Sequence, residues 1–106
     1  MSSPQTASKD PVSVDSNHYK VEFENDKVRV LRTIYGPREK SVMHTHPALV
    51  AVFLTDTHAR FTLPDGKTED VQLKAGQILN FDDATEHLPE NLSDTPLEAI
   101  LIELKG

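Results

Sequence analysis

Two histidines one residue apart, His44 and His46, are the first side chains in this sequence whose spacing suggests chemistry. On an extended strand, residues two apart project from the same face, with Cβ atoms about 6.5–7 Å apart. Two neutral imidazoles at that distance can each offer a nitrogen to one metal ion. The same pair also fits an exposed strand with two solvated rings, so by itself it is a weak signal.

His87 adds a third imidazole in the second half of the chain, after a turn at residues 82–84. If a neighbouring strand brought it beside the other two, three histidines would hold a metal and leave coordination positions open. Open positions distinguish a reactive metal from a structural one. Taken alone, His87 is better explained as a turn histidine hydrogen-bonded to backbone.

Composition limits the classes of protein to which this chain can belong. The 106 residues are the size of one domain, and 17 acidic against 11 basic residues give a formal net charge of −6. This balance argues against nucleic acid or an anionic membrane surface as partner, because phosphate binding needs a cationic face. Without a long apolar run or a signal-like N-terminus, the chain is expected to be a soluble cytoplasmic domain. The absence of cysteine excludes disulfides and thiolate ligands, which leaves the five histidines.

Short apolar segments separated by turn residues fill the chain from Tyr19 onward, which is typical of β-strands. Residues 97–104 (LEAILIEL) also suit a helix, but we favour a strand because the neighbouring strands need a partner. Pro64, Asp65 and Gly66 predict a tight hairpin in which the glycine takes a positive φ. About eight to ten strands at this spacing predict an all-β sandwich or barrel. The other predicted strands are residues 27–35, 49–54, 59–63, 68–73 and 77–81.

The N-terminal residues 1–17 are rich in serine and contain two prolines. We expect them to form a flexible or irregular arm that precedes a barrel domain at residues 18–106. Such an arm could add a strand to the exposed edge of a second copy, so we predict a homodimer. His18, at the end of the arm, and His58, in a turn, are expected to be solvated and outside the barrel. Tyr35 is expected in the core.

The first histidine segment resembles the first sequence motif of the cupin superfamily, and the resemblance extends over about residues 21–105. That motif contains a glycine, a His-x-His pair, a glutamate and a second glycine. Here Gly36 is followed after seven residues by His44 and His46. The motif's metal-binding glutamate should fall near Leu49 or Val50, where this chain has no ligand.

The second cupin motif contains a glycine, a Pro-x-Gly turn, a histidine and an asparagine. Gly76, His87 and Asn91 keep the motif's spacing, whereas Asp82 and Ala84 replace its proline and glycine. The resemblance implies that this asparagine is a structural turn residue that hydrogen-bonds the backbone.

The resemblance implies a cupin-type double-stranded β-helix, or jelly-roll barrel, in which His44, His46 and His87 hold a divalent metal. With the glutamate absent, the chain is similar to the cupins with three histidines, a class that includes iron-dependent dioxygenases. Fe(II) is then the expected metal, with Zn, Mn, Ni or Cu as alternatives, and a small molecule is the expected substrate. Three functions stay open: a dioxygenase-type metalloenzyme, a non-catalytic small-ligand binding or sensing module, and a metal-dependent isomerase or lyase. The nearest candidates for a fourth ligand are Gln77, Glu86 and Glu90.

Overall fold

The computed structural model describes residues 9–106, and within this range the chain forms nine β-strands and one helical turn. In chain order the elements are α1 (Pro11–Val14), β1 (Tyr19–Glu24), β2 (Val28–Tyr35), β3 (His44–His46), β4 (Leu49–Phe53), β5 (Thr57–Thr62), β6 (Thr68–Leu73), β7 (Ile78–Phe81), β8 (Thr85–Asn91) and β9 (Leu97–Leu104). No helix in the described range is long and apolar enough to cross a membrane. The all-β class predicted from the sequence is confirmed.

Two antiparallel sheets carry these strands. One sheet has five strands in the order β1-β2-β9-β4-β7, and the other has four in the order β3-β8-β5-β6. Strands far apart in sequence lie side by side, since β9 pairs with both β2 and β4. The chain therefore alternates between the two sheets, which is the connectivity of a jelly roll.

Strand β9 shows why LEAILIEL forms a strand although its residues also suit a helix. Leu97, Ala99, Leu101 and Glu103 are buried, while the residues between them face the other side of the sheet. This period of two is the strand period. Pairing with β2 and β4 satisfies the backbone of β9, whereas a helix here would leave one edge of β2 and one edge of β4 unpaired in the middle of the sheet. The predicted strand is confirmed.

The core lies between the inner faces of the two sheets. Leu31 is 0% exposed, and burying such a side chain contributes about 1.5–3 kcal/mol. Tyr35 is buried, as predicted, and its hydroxyl hydrogen-bonds the hydroxyl of Tyr19 at 2.7 Å. Each phenol thus has the polar partner that burial requires. The other apolar members of the core are Leu49, Ala51, Phe53, Ala59, Leu97, Ala99 and Leu101.

The hairpin between β5 and β6 turns at Pro64, Asp65 and Gly66, as the sequence predicts. Gly66 has a φ of +90°, and its N–H donates to the carbonyl of Leu63 at 2.9 Å. A Cβ at position 66 would meet no neighbouring atom within 4 Å. Backbone strain alone therefore selects glycine at this position.

We expect Gly66→Val to lower the free energy of unfolding by about 1–2 kcal/mol, because a β-branched residue is strained at positive φ. In a domain of this size, that change corresponds to a melting temperature lower by about 5–15 °C. Thermal unfolding followed by circular dichroism measures it. Gly66→Asn should lose less, because asparagine tolerates this backbone region better than valine. An unchanged melting temperature in the valine variant would contradict the turn assignment.

The part of the predicted N-terminal arm that the structure describes, residues 9–17, lies against the barrel. Asp10 caps the helical turn α1 by accepting a hydrogen bond from the N–H of Val12 at 3.1 Å. Pro11 begins the helix and is buried. Residues 1–8 of the predicted arm lie outside the described residues. The domain boundary after residue 17 and strand addition to a second copy stay predictions.

Candidate metal centre

His44, His46 and His87 come together inside the barrel. Their side chains point inward from β3 and β8, and their residues are 0%, 2% and 8% exposed. One ring nitrogen from each lies within 4.8 Å of the others. Within the described part of the chain, this is the group of His, Asp and Glu side chains arranged to hold a metal.

Strand pairing explains how residues so far apart in sequence meet. Strand β3 pairs antiparallel with β8, and His44 lies directly opposite His87 in this register. Directly opposite residues project to the same face, and so do His44 and His46, which are two apart on β3. His87 therefore lies within a strand and not in a turn bonded to backbone.

The hydrogen bonds of His44 fix its tautomer. Its Nδ1 lies 2.9 Å from the carbonyl oxygen of Val42, which can only accept, so Nδ1 carries the proton. Nε2 then carries a lone pair. This atom and Nε2 of His87 are buried with no hydrogen-bond partner among residues 9–106. A buried polar atom without a partner costs free energy, and two such atoms that converge with a third imidazole fit the ligands of a metal ion.

Glu103 fixes the ring of His46 in the same way. Nδ1 of His46 donates to Oε2 of Glu103 at 2.8 Å, which leaves Nε2 available for a metal. Arg29 donates from Nε to Oε1 of Glu103 at 2.9 Å and supplies the charge that a buried carboxylate needs. Sequence reasoning missed Glu103. The available signal was its position in β9, two residues after Leu101 on the inward face.

Burial keeps two of the imidazoles neutral. Burial, together with the smaller effect of the neighbouring His46, lowers the pKa of His44 to about 4. It also lowers the pKa of His87 to about 3, with added contributions from His46 and His44. Neutral imidazole is the form that binds a metal, so these two ligands need not lose a proton at neutral pH.

These pKa shifts predict that the metal-free protein loses stability in mild acid. The unfolded chain takes up protons at His44 and His87 near pKa 6.5, whereas the native state takes them up only near 4 and 3. The contribution of these two histidines to the free energy of unfolding is therefore complete above pH 6.5 and is lost as the pH falls toward 4. Between pH 7 and pH 5, we expect a loss of about 2 kcal/mol for each of the two histidines. Urea unfolding of metal-stripped protein at both pH values measures this loss.

His87→Leu should remove about half of that pH-dependent loss. Phe61→Leu is the matched control, because the Phe61 ring stacks on His87 at 4.9 Å and its loss disturbs packing without removing a proton site. His18 acts in the opposite direction: although burial lowers its pKa, hydrogen bonds to Asp15 and Glu39 raise it above its ordinary value. If the leucine variant at 87 keeps the full parental difference between pH 7 and pH 5, the assignment of this loss to His87 is wrong.

A cavity of about 50 Å³ adjoins the histidines inside the barrel. Apart from His46 and His87, its inward-facing side chains are mostly apolar. The Oγ1 atom of Thr85 is buried beside it, without a hydrogen-bond partner in the described range. A space of this size accepts a ligand of only a few heavy atoms. The apolar side chains around it include Leu49, Phe61, Leu79, Phe81, Leu97 and Leu101.

The structure also places the other residues that the sequence singled out. Asn91 is a structural residue, as predicted, because Nδ2 donates to the carbonyls of Gly36 and Thr95 at 3.1 and 2.9 Å. Leu49, near the position of the missing motif glutamate, packs in the core. Val50, next to it, is half-buried.

None of the three candidates for a fourth ligand joins the histidine cluster found in residues 9–106. Glu86 forms an ion pair with Lys9. The side-chain oxygen of Gln77 accepts the N–H of Lys74 at 2.6 Å. Glu90 forms an isolated backbone bridge with Lys40.

Two expectations about the remaining histidines were wrong. His18 is not solvated: it bonds Asp15 at 2.8 Å and Glu39 at 3.0 Å, and it stacks on Tyr35. His58 is half-buried within β5, and not exposed in a turn. It alternates with the buried residues Thr57 and Ala59, which places its side chain outside the barrel, as predicted.

Comparison with known proteins identifies the fold. The sequence matches no family model and no curated protein. Its structure is similar to a cupin domain from Bordetella pertussis Tohama I, with 27% identity, a TM-score of 0.77 and coverage of 83% of this chain and 92% of that one. It is also similar to an RmlC-like cupin from Methanocaldococcus jannaschii, with 17% identity, a TM-score of 0.64 and coverage of 86% and 84%. The chain therefore has the predicted cupin fold, the double-stranded β-helix.

Proposed function

We propose that this small cupin-fold chain binds a divalent first-row metal through His44, His46 and His87. One observation carries the proposal: three buried imidazoles converge within 4.8 Å, and two of them present Nε2 atoms that find no partner in the described chain. Nitrogen ligands of this kind suit Fe, Zn, Ni and Cu. We propose Fe(II), with Zn, Mn, Ni or Cu as the alternatives.

We further propose that the protein acts on a small molecule, in a reaction of the dioxygenase type. Three protein ligands leave coordination positions open, and a divalent ion held there supplies Lewis acidity or, if it is iron, redox chemistry. The chain's own residues contribute the shape and dryness of the site. The apolar cavity beside His46 and His87 excludes bulk water, and its size admits only a small ligand. Tyr19 packs against His44 with ring centroids 5.0 Å apart, and burial raises its pKa, so its hydroxyl stays protonated.

Elemental analysis of protein purified without an affinity tag tests the metal proposal directly. We expect one first-row metal per chain. Dioxygen uptake after Fe(II) is restored, measured with a panel of small oxidisable organic molecules as electron-donating substrates, then tests the reaction class. A protein that takes up no divalent metal under any condition would overturn the metal proposal, and metal binding without dioxygen uptake would overturn only the dioxygenase.

A non-catalytic small-ligand binding or sensing module is the alternative that the cavity itself favours. Apart from the histidines, its inward-facing side chains offer hydroxyls and an amide. Among residues 9–106 the carboxylate nearest the cavity is that of Glu90, which alternates with the buried Pro89 and Asn91 and so faces away from the interior, where it is not placed as a general acid or base. Zn in place of Fe would favour the third candidate, a metal-dependent isomerase or lyase, because Zn(II) has no redox chemistry. The cytoplasmic location stays a prediction.

We also propose that two copies pair through the outer face of the five-stranded sheet. Strand register places a continuous set of apolar side chains there, and two of them, Phe23 and Ile78, are 54% and 61% exposed. Five strands about 4.8 Å apart give a face about 24 Å wide, and the 8 residues of β2 and of β9 extend about 26 Å along it. The resulting area of roughly 600 Å², increased by side-chain relief, approaches the roughly 800 Å² per partner of a stable interface. The other apolar residues of this face include Val30, Val50, Val52, Ile100 and Ile102.

The charges on this outer face favour a second copy as its partner. Arg32 pairs with Glu22 and Glu98, and Lys20 lies opposite Arg32 in the register of β1 and β2. These four side chains sum to no net charge, although the whole chain carries −6. Two copies can therefore approach on this face with less like-charge repulsion than elsewhere.

Sedimentation should therefore give a mass of roughly 24 kDa, twice the 11.8 kDa of one chain. Phe23→Asp should shift the protein to a monomer, because a carboxylate would be buried without a partner in the interface. Val42→Asp is the control, since Val42 is 47% exposed but precedes β3 of the other sheet. A parent mass near that of one chain would overturn the dimer, and dissociation by the control variant would overturn the choice of face.

A further inference from the structure

We propose that residues 9–18, which we call the N-terminal strap, position the ring planes of the histidine site from outside the barrel. The inference rests on the proposed function, because it assigns positioning residues to that metal site. The strap reaches His46 and His44 by separate chains of hydrogen bonds. It also lies along the strands that carry all three histidines.

The first chain of contacts runs from Asp10 to His46. Both carboxylate oxygens of Asp10 accept from Arg29, at 2.9 and 2.8 Å. Arg29 in turn donates to Glu103 at 2.9 Å, and Glu103 accepts Nδ1–H of His46 at 2.8 Å. Charge-assisted bidentate pairs of this kind fix geometry as well as charge. Asp10 thus fixes the guanidinium of Arg29. This group in turn fixes the Glu103 carboxylate, which orients His46.

The second chain runs from Asp15 to His44. Oγ of Ser41 donates to Oδ2 of Asp15 at 2.5 Å and lies 3.3 Å from Nδ1 of His44. The same Asp15 oxygen lies 2.8 Å from Nδ1 of His18, whose ring stacks on Tyr35 with centroids 4.3 Å apart. Ser41 is therefore fixed beside the imidazole, which also donates to the carbonyl of Val42.

Lys9 joins the strap to the strands themselves. Its carbonyl oxygen accepts the N–H of Thr45, the residue between the two histidines of β3, at 2.9 Å. Its ammonium pairs with Glu86, the residue before His87 on β8. The strap therefore runs beside the free edge of β3, and from there the Lys9 side chain reaches Glu86 on β8.

The strap accounts for features that a surface arm would not need. Pro11 in the strap is completely buried. Asp10 both caps α1 and accepts hydrogen bonds from Arg29. Outer-shell groups that orient a metal-ligating histidine typically change metal affinity by 10- to 100-fold. The strap acts one contact further out, so a smaller effect is expected from each of its residues.

Asp10→Ala and Asp15→Ala should each weaken Zn(II) or Co(II) binding about three- to tenfold in the full chain. The two changes act on different histidines, so their effects should multiply in the double variant. Asp70→Ala is the matched control, because Asp70 forms a similar bidentate pair with Arg60 at 2.8 and 3.1 Å, away from the site. The control should lose less than twofold in affinity.

Imidazole ¹⁵N spectra of the metal-free protein provide a second measurement that does not depend on metal binding. Asp10→Ala should shift the ring signals of His46 more than those of His44, and Asp15→Ala should do the reverse. A merely structural strap would lower the free energy of unfolding and disturb both rings alike. That result, or variants whose metal affinity and spectra match those of Asp70→Ala, would overturn the strap. A parent that binds no metal but shows the selective shifts would overturn the metal proposal and support the positioning contacts.

Discussion

We expect each of the variants His44→Ala, His46→Ala and His87→Ala to bind metal at least about 100-fold more weakly than the parent. This loss exceeds the one usually seen when a group that only hydrogen-bonds a ligand is removed. Each change removes one of three nitrogens that lie within 4.8 Å of one another, and two ligands cannot replace the hydration shell of a divalent ion as three can. Equilibrium dialysis against Zn(II) or Co(II), followed by elemental analysis, measures the loss. Circular dichroism establishes that each variant is folded at the time of measurement.

His58→Ala is the control for this series, because His58 faces away from the barrel interior on β5. His18 cannot serve as one, since it bonds Asp15 in the strap. Metal content should fall in the three variants of the cluster and stay at the parent level in His58→Ala. Full metal content in one of the three variants would show that the replaced histidine is not a ligand. Full metal content in all three would favour the small-ligand binding module.

Local rules were enough to predict the all-β class, because its signals are local, whereas the double-stranded β-helix was implied only by the resemblance to cupins. Alternation of polarity at residues 59–63 and the Pro-Asp-Gly turn that follows them each depend on a few neighbouring residues. The pair of His44 and His46 is local in the same sense, since residues two apart on one strand share a face. What no local rule provides is the register between β3 and β8, which places His87 opposite His44. Only the resemblance to the second cupin motif indicated that partner.

The hydrogen-bond network that orients the histidines was not predictable from the sequence, because its residues lie far apart along the chain. Arg29 meets both Asp10 and Glu103, so the network joins the N-terminal strap, β2 and β9. Each of these residues is a common surface type whose burial follows only from the paired strands. Serine and proline content predicted an irregular arm at residues 1–17. Composition alone does not show that Asp10 and Asp15 have hydrogen-bond partners on the barrel, so these contacts were missed.

Glu103→Ala should lower metal affinity by about 10- to 100-fold, the second largest effect we expect. The carboxylate accepts Nδ1–H of His46, so its loss releases both the tautomer and the ring plane that direct Nε2 toward the other imidazoles. Arg29 keeps its pair with Asp10 in this variant, so no buried cation is left alone. Titration of metal-stripped protein with Co(II), followed by its absorption spectrum, reports both affinity and ligand geometry.

Glu103→Gln separates orientation from charge at the same position. The amide oxygen of glutamine can still accept from His46, but it carries no charge to strengthen that bond, so a loss nearer tenfold is expected. Glu98→Gln is the matched control on β9, because Glu98 pairs with Arg32 on the outer face and should leave affinity within about twofold. If Glu103→Ala bound metal like the parent, His46 would owe its orientation to the barrel wall alone. If glutamine lost as much as alanine, the carboxylate would act through its charge, because the hydrogen bond that aligns the ring would still be available.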